Sequence, residues 1–208
     1  MSHFCTLVFC KDKGDVERLL APFQEYDGQD GFPKEWLCFV ENEDFEIDEE
    51  TGKPGFWENP NAIWDWYSVG GRYRRCFKLK DGDYVSFGEI SKFNFSITDE
   101  SKQEYDREWE IGVNGAEKTE DEKRKLYYRS GYYLDQWGTK DAFMNEMCNS
   151  YGWNFITPDG KLHSKGKELW FGCSEATRES RKKYVEEWQE TIKNIPQDYY
   201  MVVVDCHI

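Results

Sequence analysis

The chain has 208 residues, enough for one sizeable domain, and no low-complexity stretch that would link it to a second. Its 41 acidic and 27 basic side chains leave a net charge of −14, which argues against wrapping long nucleic acid, because phosphate binding needs a positive field and counterion release. Aromatic residues make up 17 %, nine tryptophans among them, so a large core can form although only 38 % of the chain is hydrophobic.

Seven cysteines form no CxxC pair and no zinc-finger spacing, so reduced, mostly buried thiols are expected. The run MSHFCTLVFCKDK turns charged too soon for a signal peptide, and no stretch is long enough to span a bilayer. A cytoplasmic protein without membrane contact is the expectation.

His3 to Cys10 (HFCTLVFC) is apolar on both faces and predicts a central strand. Asp15 begins a short helix with Val16, Leu19 and Leu20 at helical spacing, ended by Pro22. Residues 26–55 read as an acidic insertion with a short strand at Glu35 to Val40; its acidic run, Glu41 to Glu50, is either a solvated loop or a docking face. It lacks the glycine-centred spacing of an EF-hand, so no cation site is adopted there.

Asn59-Pro60-Asn61 is turn chemistry, and Ala62 to Tyr67 reads as a helical turn or short strand before Gly70-Gly71. Arg72 to Leu79 and Tyr84 to Phe87, separated by Lys80-Asp81-Gly82-Asp83, predict an antiparallel hairpin. Residues 96–130 form a charged insertion with helical character, in which Thr119 to Glu122 has the spacing of a capping box. Thr139 to Cys148 predicts a helix, Tyr151 to Ile156 a strand, and Thr157-Pro158-Asp159-Gly160 a turn into Lys161 to His163. Glu175 to Asn194 is the clearest helix, with Tyr184, Trp188 and Ile192 four apart; Pro196 stops it, and Tyr199 to Ile208 is a buried strand.

This order predicts an α+β domain, a ferredoxin-like antiparallel sheet packed by helices, with insertions. First and last strands would then be antiparallel neighbours, bringing His3 beside Asp205, Cys206 and His207. Imidazole, carboxylate and thiol at one sheet end suit acid–base chemistry or a transition metal, so His3, Asp205 and His207 are catalytic candidates and His3 and His207 candidate metal ligands; the alternative is that they only satisfy one another. His163 is either a third partner or an exposed side chain.

The stretch WENPNAIWDWYSVGGRYRRCF, 57 to 77, has two readings. In one, Gly70 and Gly71 let backbone amides approach an anion, Arg72, Arg74 and Arg75 supply forked donors, and Trp64, Trp66, Tyr67 and Tyr73 supply ring faces for a base. In the other, the glycines make a tight bend and the aromatics fill the core beneath arginines stacked on their faces.

MSHF at 1 to 4, NPNAIWDWYSVGGRY at 59 to 73, TPDGKLH at 157 to 163, LWFGC at 169 to 173 and VVDCHI at 203 to 208 together resemble a family of uncharacterised proteins encoded by bacteriophages and mobile elements. Members of that family carry a similar MSHF start, an NPNAxWDWYxxGGRW block, a TPDGxWH segment and a VDCHI end. This sequence departs from the pattern at Tyr73 and Leu162, where the family has Trp, and at Glu168-Leu169. DQWGTKDAF at 135 to 143 also faintly resembles the NWGTKWD motif of another phage and plasmid group with a ferredoxin-like domain. The resemblance implies a phage protein made in the host cytoplasm and a shared site at Trp64, Asp65, Trp66, Gly70, Gly71, Arg72, Asp205 and His207; it transfers no activity.

Three functions follow as expectations. The first is an accessory, counter-defence protein that sequesters a small nucleotide-like anion and needs no cofactor. The second is an inhibitor docking by its acidic surface on a host defence enzyme, and the third a metal-assisted hydrolase of a nucleotide signal. Each is compatible with a monomer or a homo-oligomer.

Overall fold

The computed structural model describes residues 2–125, 127–167 and 174–208. Its strands and helices are, in order, His3–Cys10 (β1), Asp15–Leu20 (α1), Cys38–Glu41 (β2), Gly55–Glu58 (β3), Trp66–Val69 (β4), Phe87–Glu89 (β5), Asp99–Gly112 (α2), Ser130–Trp137 (α3), Lys140–Asn149 (α4), Asn154–Ile156 (β6), Leu162–Ser164 (β7), Arg178–Asn194 (α5) and Tyr200–His207 (β8). The LWFGC block and Cys173 lie outside the described residues.

β1 and β8 are apolar on both faces because both faces are covered. They pair antiparallel over eight residues, His3 opposite His207 and Cys10 opposite Tyr200. β6 lies parallel to β1 on its other side, β7 returns antiparallel to β6, and β4 and β5 both pair antiparallel with the outer edge of β8.

The result is one α+β domain with the expected β-α-β-β-α-β succession of β1, α1, β6, β7, α5 and β8. Its closing hairpin has the first strand, β6, beside β1 and the second, β7, at the edge, so the central order is β8-β1-β6-β7. A strictly alternating ferredoxin-like sheet would put the second hairpin strand beside β1.

Period-two alternation divides the core. Cys5, Leu7, Phe9, Met201 and Val203 face α5, which answers with Tyr184 and Trp188. Phe4, Val8, Val202, Val204 and Cys206 face α1, with Val16, Leu19 and Leu20. Each such side chain, fully buried, contributes about 1.5–3 kcal/mol. α5 starts on a capping box between Thr177 and Ser180, ends at Ile195 before Pro196, and is tied down where the Tyr184 hydroxyl donates to the Tyr151 carbonyl at 2.6 Å.

The acidic insertion is a two-stranded ribbon, β2 with β3, whose connecting loop leaves Glu43, Asp44, Glu46, Glu49 and Glu50 exposed. In the charged stretch 96–130, α2 packs on α3 and α4 around Trp109, Tyr133 and Phe143. Both capping-box bonds between Thr119 and Glu122 form, yet only a 3-10 turn follows, Glu122–Arg124.

The hairpin expected of Arg72 to Leu79 and Tyr84 to Phe87 forms only around its turn, where the Leu79 N–H donates to the Asp83 carbonyl at 2.7 Å and the Val85 N–H to the Phe77 carbonyl at 3.3 Å. Gly71–Tyr73 is a 3-10 turn, and single bridges join Lys78 to Tyr84 and Leu79 to Phe93. Phe77 and Phe93 are drawn into the core on the α5 side, and burying those rings outweighs a regular ladder at the surface.

Candidate functional site

The β1–β8 register places His3 and His207 directly opposite each other at the sheet end that α5 leaves uncovered, and Asp205, two residues back, shares their face. β4 then pairs Trp66 with His207 and Ser68 with Asp205, adding an indole to the same face. Gly70 donates its N–H to the Val203 carbonyl at 2.7 Å, which turns the chain beside the middle of β8, against Asp205, and hangs Arg72 and Arg74 beside the histidines. His3, Trp66, Gly71, Arg72, Arg74, Asp205 and His207 line an open cleft of about 640 Å³, within the range of small-molecule sites.

Each imidazole is held by a carboxylate. His3 Nδ1 lies 2.9 Å from Asp205 Oδ1, while the backbone N–H of Arg72 donates to Asp205 Oδ2 at 2.9 Å. His207 Nδ1 lies 2.7 and 2.9 Å from the two oxygens of Asp65, which also accepts from the Trp66 N–H at 2.7 Å. A carboxylate only accepts, so in the neutral rings Nδ1 carries the proton and Nε2 has the free lone pair. Trp66 stacks on His207 with ring centroids 4.9 Å apart and planes 17° apart, and the His3 ring meets His207 edge-on at 4.9 Å.

Nε2 of His207 is buried and has no hydrogen-bond partner among the described residues. The Arg72 and Arg74 side chains are exposed on the cleft and form no ion pair or hydrogen bond with the described residues. Guanidinium groups without a carboxylate partner, in so acidic a chain, leave the cleft able to receive an anion.

The expected catalytic trio of His3, Asp205 and His207 therefore comes together, but the thiol does not join it. Cys206 points to the opposite face, 3.4 Å from Thr6 Oγ1, where burial pushes its pKa up to about 12. His163 is neither a partner nor exposed: it is buried three strands away, stacked 4.3 Å from Phe155, with Nδ1 2.8 Å from Glu187 Oε2 but off the line of a hydrogen bond. Among the described residues no group of three side chains is placed to hold a metal ion, and the Nδ1 atoms of the candidate ligands His3 and His207 are engaged by Asp205 and Asp65.

The aromatic-arginine stretch divides between its two readings. Trp66, 45 % exposed, Gly71, Arg72 and Arg74 face the cleft. Trp64, 1 % exposed, does not: it is sealed against Phe4 and Phe23, because the bridge from Gln24 turns its backbone inward. Tyr67 lies on the α1 side of the sheet, since the residue after Trp66 must point the other way. Tyr73 supports the site from below, its hydroxyl donating to the His3 carbonyl at 3.0 Å; burial, then the nearby Cys5 and Asp205, push its pKa up to about 12. Gly70 shapes the bend without lining the cleft, and Arg75 is exposed away from it.

Asp65 was expected at the site only through the family resemblance; patterning alone leaves it out, because only the docking of β4 on β8 brings it to His207. Its place beside Trp66 in the WDWY block was the available signal. Compared with protein-family models, curated proteins and solved structures, the chain finds no match.

Proposed function

We propose that the protein binds a small anionic, nucleotide-like ligand in the cleft between Trp66, Arg72, Arg74, His3 and His207. The observation that carries this reading is two arginines without carboxylate partners beside an exposed indole in a chain of net charge −14. The guanidinium forks receive phosphate oxygens and the ring gives a base a stacking face, while the surrounding acidic surface repels a long polyanion. The sequence resemblance to phage and mobile-element proteins supports a setting in the host cytoplasm, where such binding sequesters a nucleotide signal used in defence. No described helix is long and apolar enough to cross a membrane.

Calorimetric titration with mono-, di- and cyclic nucleotides tests this. The expected result is saturable binding by at least one of them, weakened at least tenfold by Arg72→Ala. Binding by none, or affinity unchanged in Arg72→Ala, overturns it.

A second reading rests on the β2–β3 ribbon, where Phe45 and Ile47 are exposed among acidic side chains. Such a tip suits a basic surface of a host enzyme, with apolar contact at its centre. Association that weakens steeply with salt and is lost on charge reversal of Glu43, Glu46 and Glu49 supports it; salt-insensitive association sinks it.

A further inference from the structure

A site that only holds an anion is served by the guanidinium groups of Arg72 and Arg74. Two imidazoles on the same wall, each with its own carboxylate, add something binding does not require. Asp205 on His3 and Asp65 on His207 fix ring orientation and tautomer, leaving Nε2 of each ring as the atom that can exchange a proton. The two rings adjoin at 4.9 Å between centroids, and the buried Nε2 of His207 lacks a partner among the described residues. Buried polar atoms normally find one, and this one is left without it in a residue that lines the cleft.

We infer that the cleft is catalytic: His3 and His207 form a general base and general acid pair that cleaves a phosphodiester flanked by a ribose 2′-hydroxyl in a short nucleotide. This inference rests on the nucleotide-binding reading above and names the substrate class of the same site.

One imidazole, neutral at Nε2, takes the proton of the 2′-hydroxyl as O2′ bonds to phosphorus. The bond from phosphorus to O5′ breaks, its electron pair stays on O5′, and that oxygen receives the Nε2 proton of the other, protonated imidazole. The products are a 2′,3′-cyclic phosphate and a 5′-hydroxyl. Nothing is oxidised or reduced, no water is consumed, and the two histidines end with exchanged protonation states. Arg72 and Arg74 stand beside the non-bridging oxygens on which negative charge grows, and Trp66 offers a ring face to a flanking base. Asp205 and Asp65 hold the two rings at Nδ1 and take no proton themselves, so proton transfer runs through the Nε2 atoms of His3 and His207 alone.

The test uses the full chain in EDTA with the complete set of ribodinucleoside monophosphates and cyclic diribonucleotides, each beside its 2′-deoxy counterpart. Mass spectrometry reads the products and calorimetry reads binding of the deoxy compounds. At least one ribo compound is expected to give a 2′,3′-cyclic phosphate end with its deoxy counterpart intact. His3→Gln and His207→Gln are each expected to slow turnover by roughly 100-fold or more, with thermal melting retained as the check that they fold. Asp65→Asn, a positioning change, is expected to move the pH profile of turnover more than the affinity.

If a deoxy compound binds and every ribo compound is recovered intact, catalysis is overturned while the binding reading stands. If nothing binds and nothing is cleaved, both fall. Cleavage that depends on added divalent metal, or that survives both glutamine variants, overturns the histidine pair.

Discussion

Gly71 and Asp205 touch so closely that no side chain fits between them. At φ +44° a Cβ on Gly71 would overlap the Asp205 side chain at Cβ and Oδ2 and crowd Ser68 Oγ. The closeness lets the next residue, Arg72, donate its N–H to Asp205 Oδ2, which leaves Oδ1 for His3. Glycine is required here both for its left-handed backbone and for its missing Cβ.

Gly71→Ala therefore strains the backbone and pushes on the carboxylate together. The expected loss of stability is about 1–3 kcal/mol, measured by urea denaturation. A loss of nucleotide affinity larger than that of a remote substitution of equal ΔΔG separates damage to the site from damage to the fold. Unchanged melting and affinity would show that the turn relaxes without moving Asp205.

How much of this was legible in the sequence depends on which contacts are set by alternation and which by docking. His3, Asp205 and His207 were readable because two long apolar strands at the chain ends tend to pair, and period two then fixes their shared face. Asp65 was named only by the family resemblance, since a four-residue strand carries no periodicity that announces its partner. Trp64 and Trp66 look alike in sequence; a bridge to Gln24 buries one and pairing with His207 exposes the other. The hairpin after Gly71 keeps its turn but not a regular ladder, which gives way to burial of Phe77 and Phe93. α3 was missed because SGYYLDQW is only eight residues long, with Gly131 in its first turn and no side-chain cap, and gains its helix from packing on α2 and α4.

Glu146 is the keystone of the layer beneath Trp153 and Trp137. Its Oε1 meets Arg181 Nη1 at 2.9 Å and Lys165 Nζ at 2.8 Å, and its Oε2 accepts from Trp137 Nε1 at 2.8 Å. Burial alone would raise its pKa, but the charges of Lys165 and Arg181 and these hydrogen bonds hold it below the usual value. Lys165 is lowered, by burial first, with Glu146 opposing.

Glu146→Gln leaves two buried cations without their counter-charge and is expected to cost about 3–5 kcal/mol in chemical denaturation. A carboxyl with a lowered folded pKa adds stability that is complete above its unfolded value, about 4.3, and is lost as pH falls through the folded value. The acid limb of stability should accordingly be flatter in Glu146→Gln than in the parent. Parallel acid limbs would mean that Glu146 is not the carboxylate whose protonation weakens the fold.

The thiols should react in an order set by burial. Burial raises Cys5 well above the ordinary value, Cys10 to about 11 and Cys206 to about 12; Cys10 and Cys206 are fully buried and Cys5 nearly so. Cys76 is exposed, although partial burial of its thiol raises its pKa as well. Iodoacetamide at mildly alkaline pH is expected to label Cys76 in the native protein while leaving Cys5, Cys10 and Cys206 protected until denaturant is added. Early labelling of Cys206, read by peptide mass mapping, would contradict its burial on the α1 face of β8.

The two carboxylates make a prediction about where protons sit that no mutation is needed to test. In water the neutral imidazole favours the tautomer protonated at Nε2, but Asp205 and Asp65 can only accept, so His3 and His207 must carry the proton at Nδ1. The chain has three histidines, few enough for nitrogen–proton correlation spectra to resolve each ring. Two rings are expected in the Nδ1–H form under conditions where they are neutral, with Nε2 resonating as a bare acceptor nitrogen. Asp65→Asn should disturb the His207 pattern and leave His3 as it was, because the two pairs share no carboxylate. A nucleotide that accepts or donates at Nε2 should shift that nitrogen in both rings while the Nδ1 protons stay in place. Should His207 instead show Nε2–H, its hydrogen bond to Asp65 would not be the one that sets the ring, and the acid–base role inferred for the pair would lose its geometric basis.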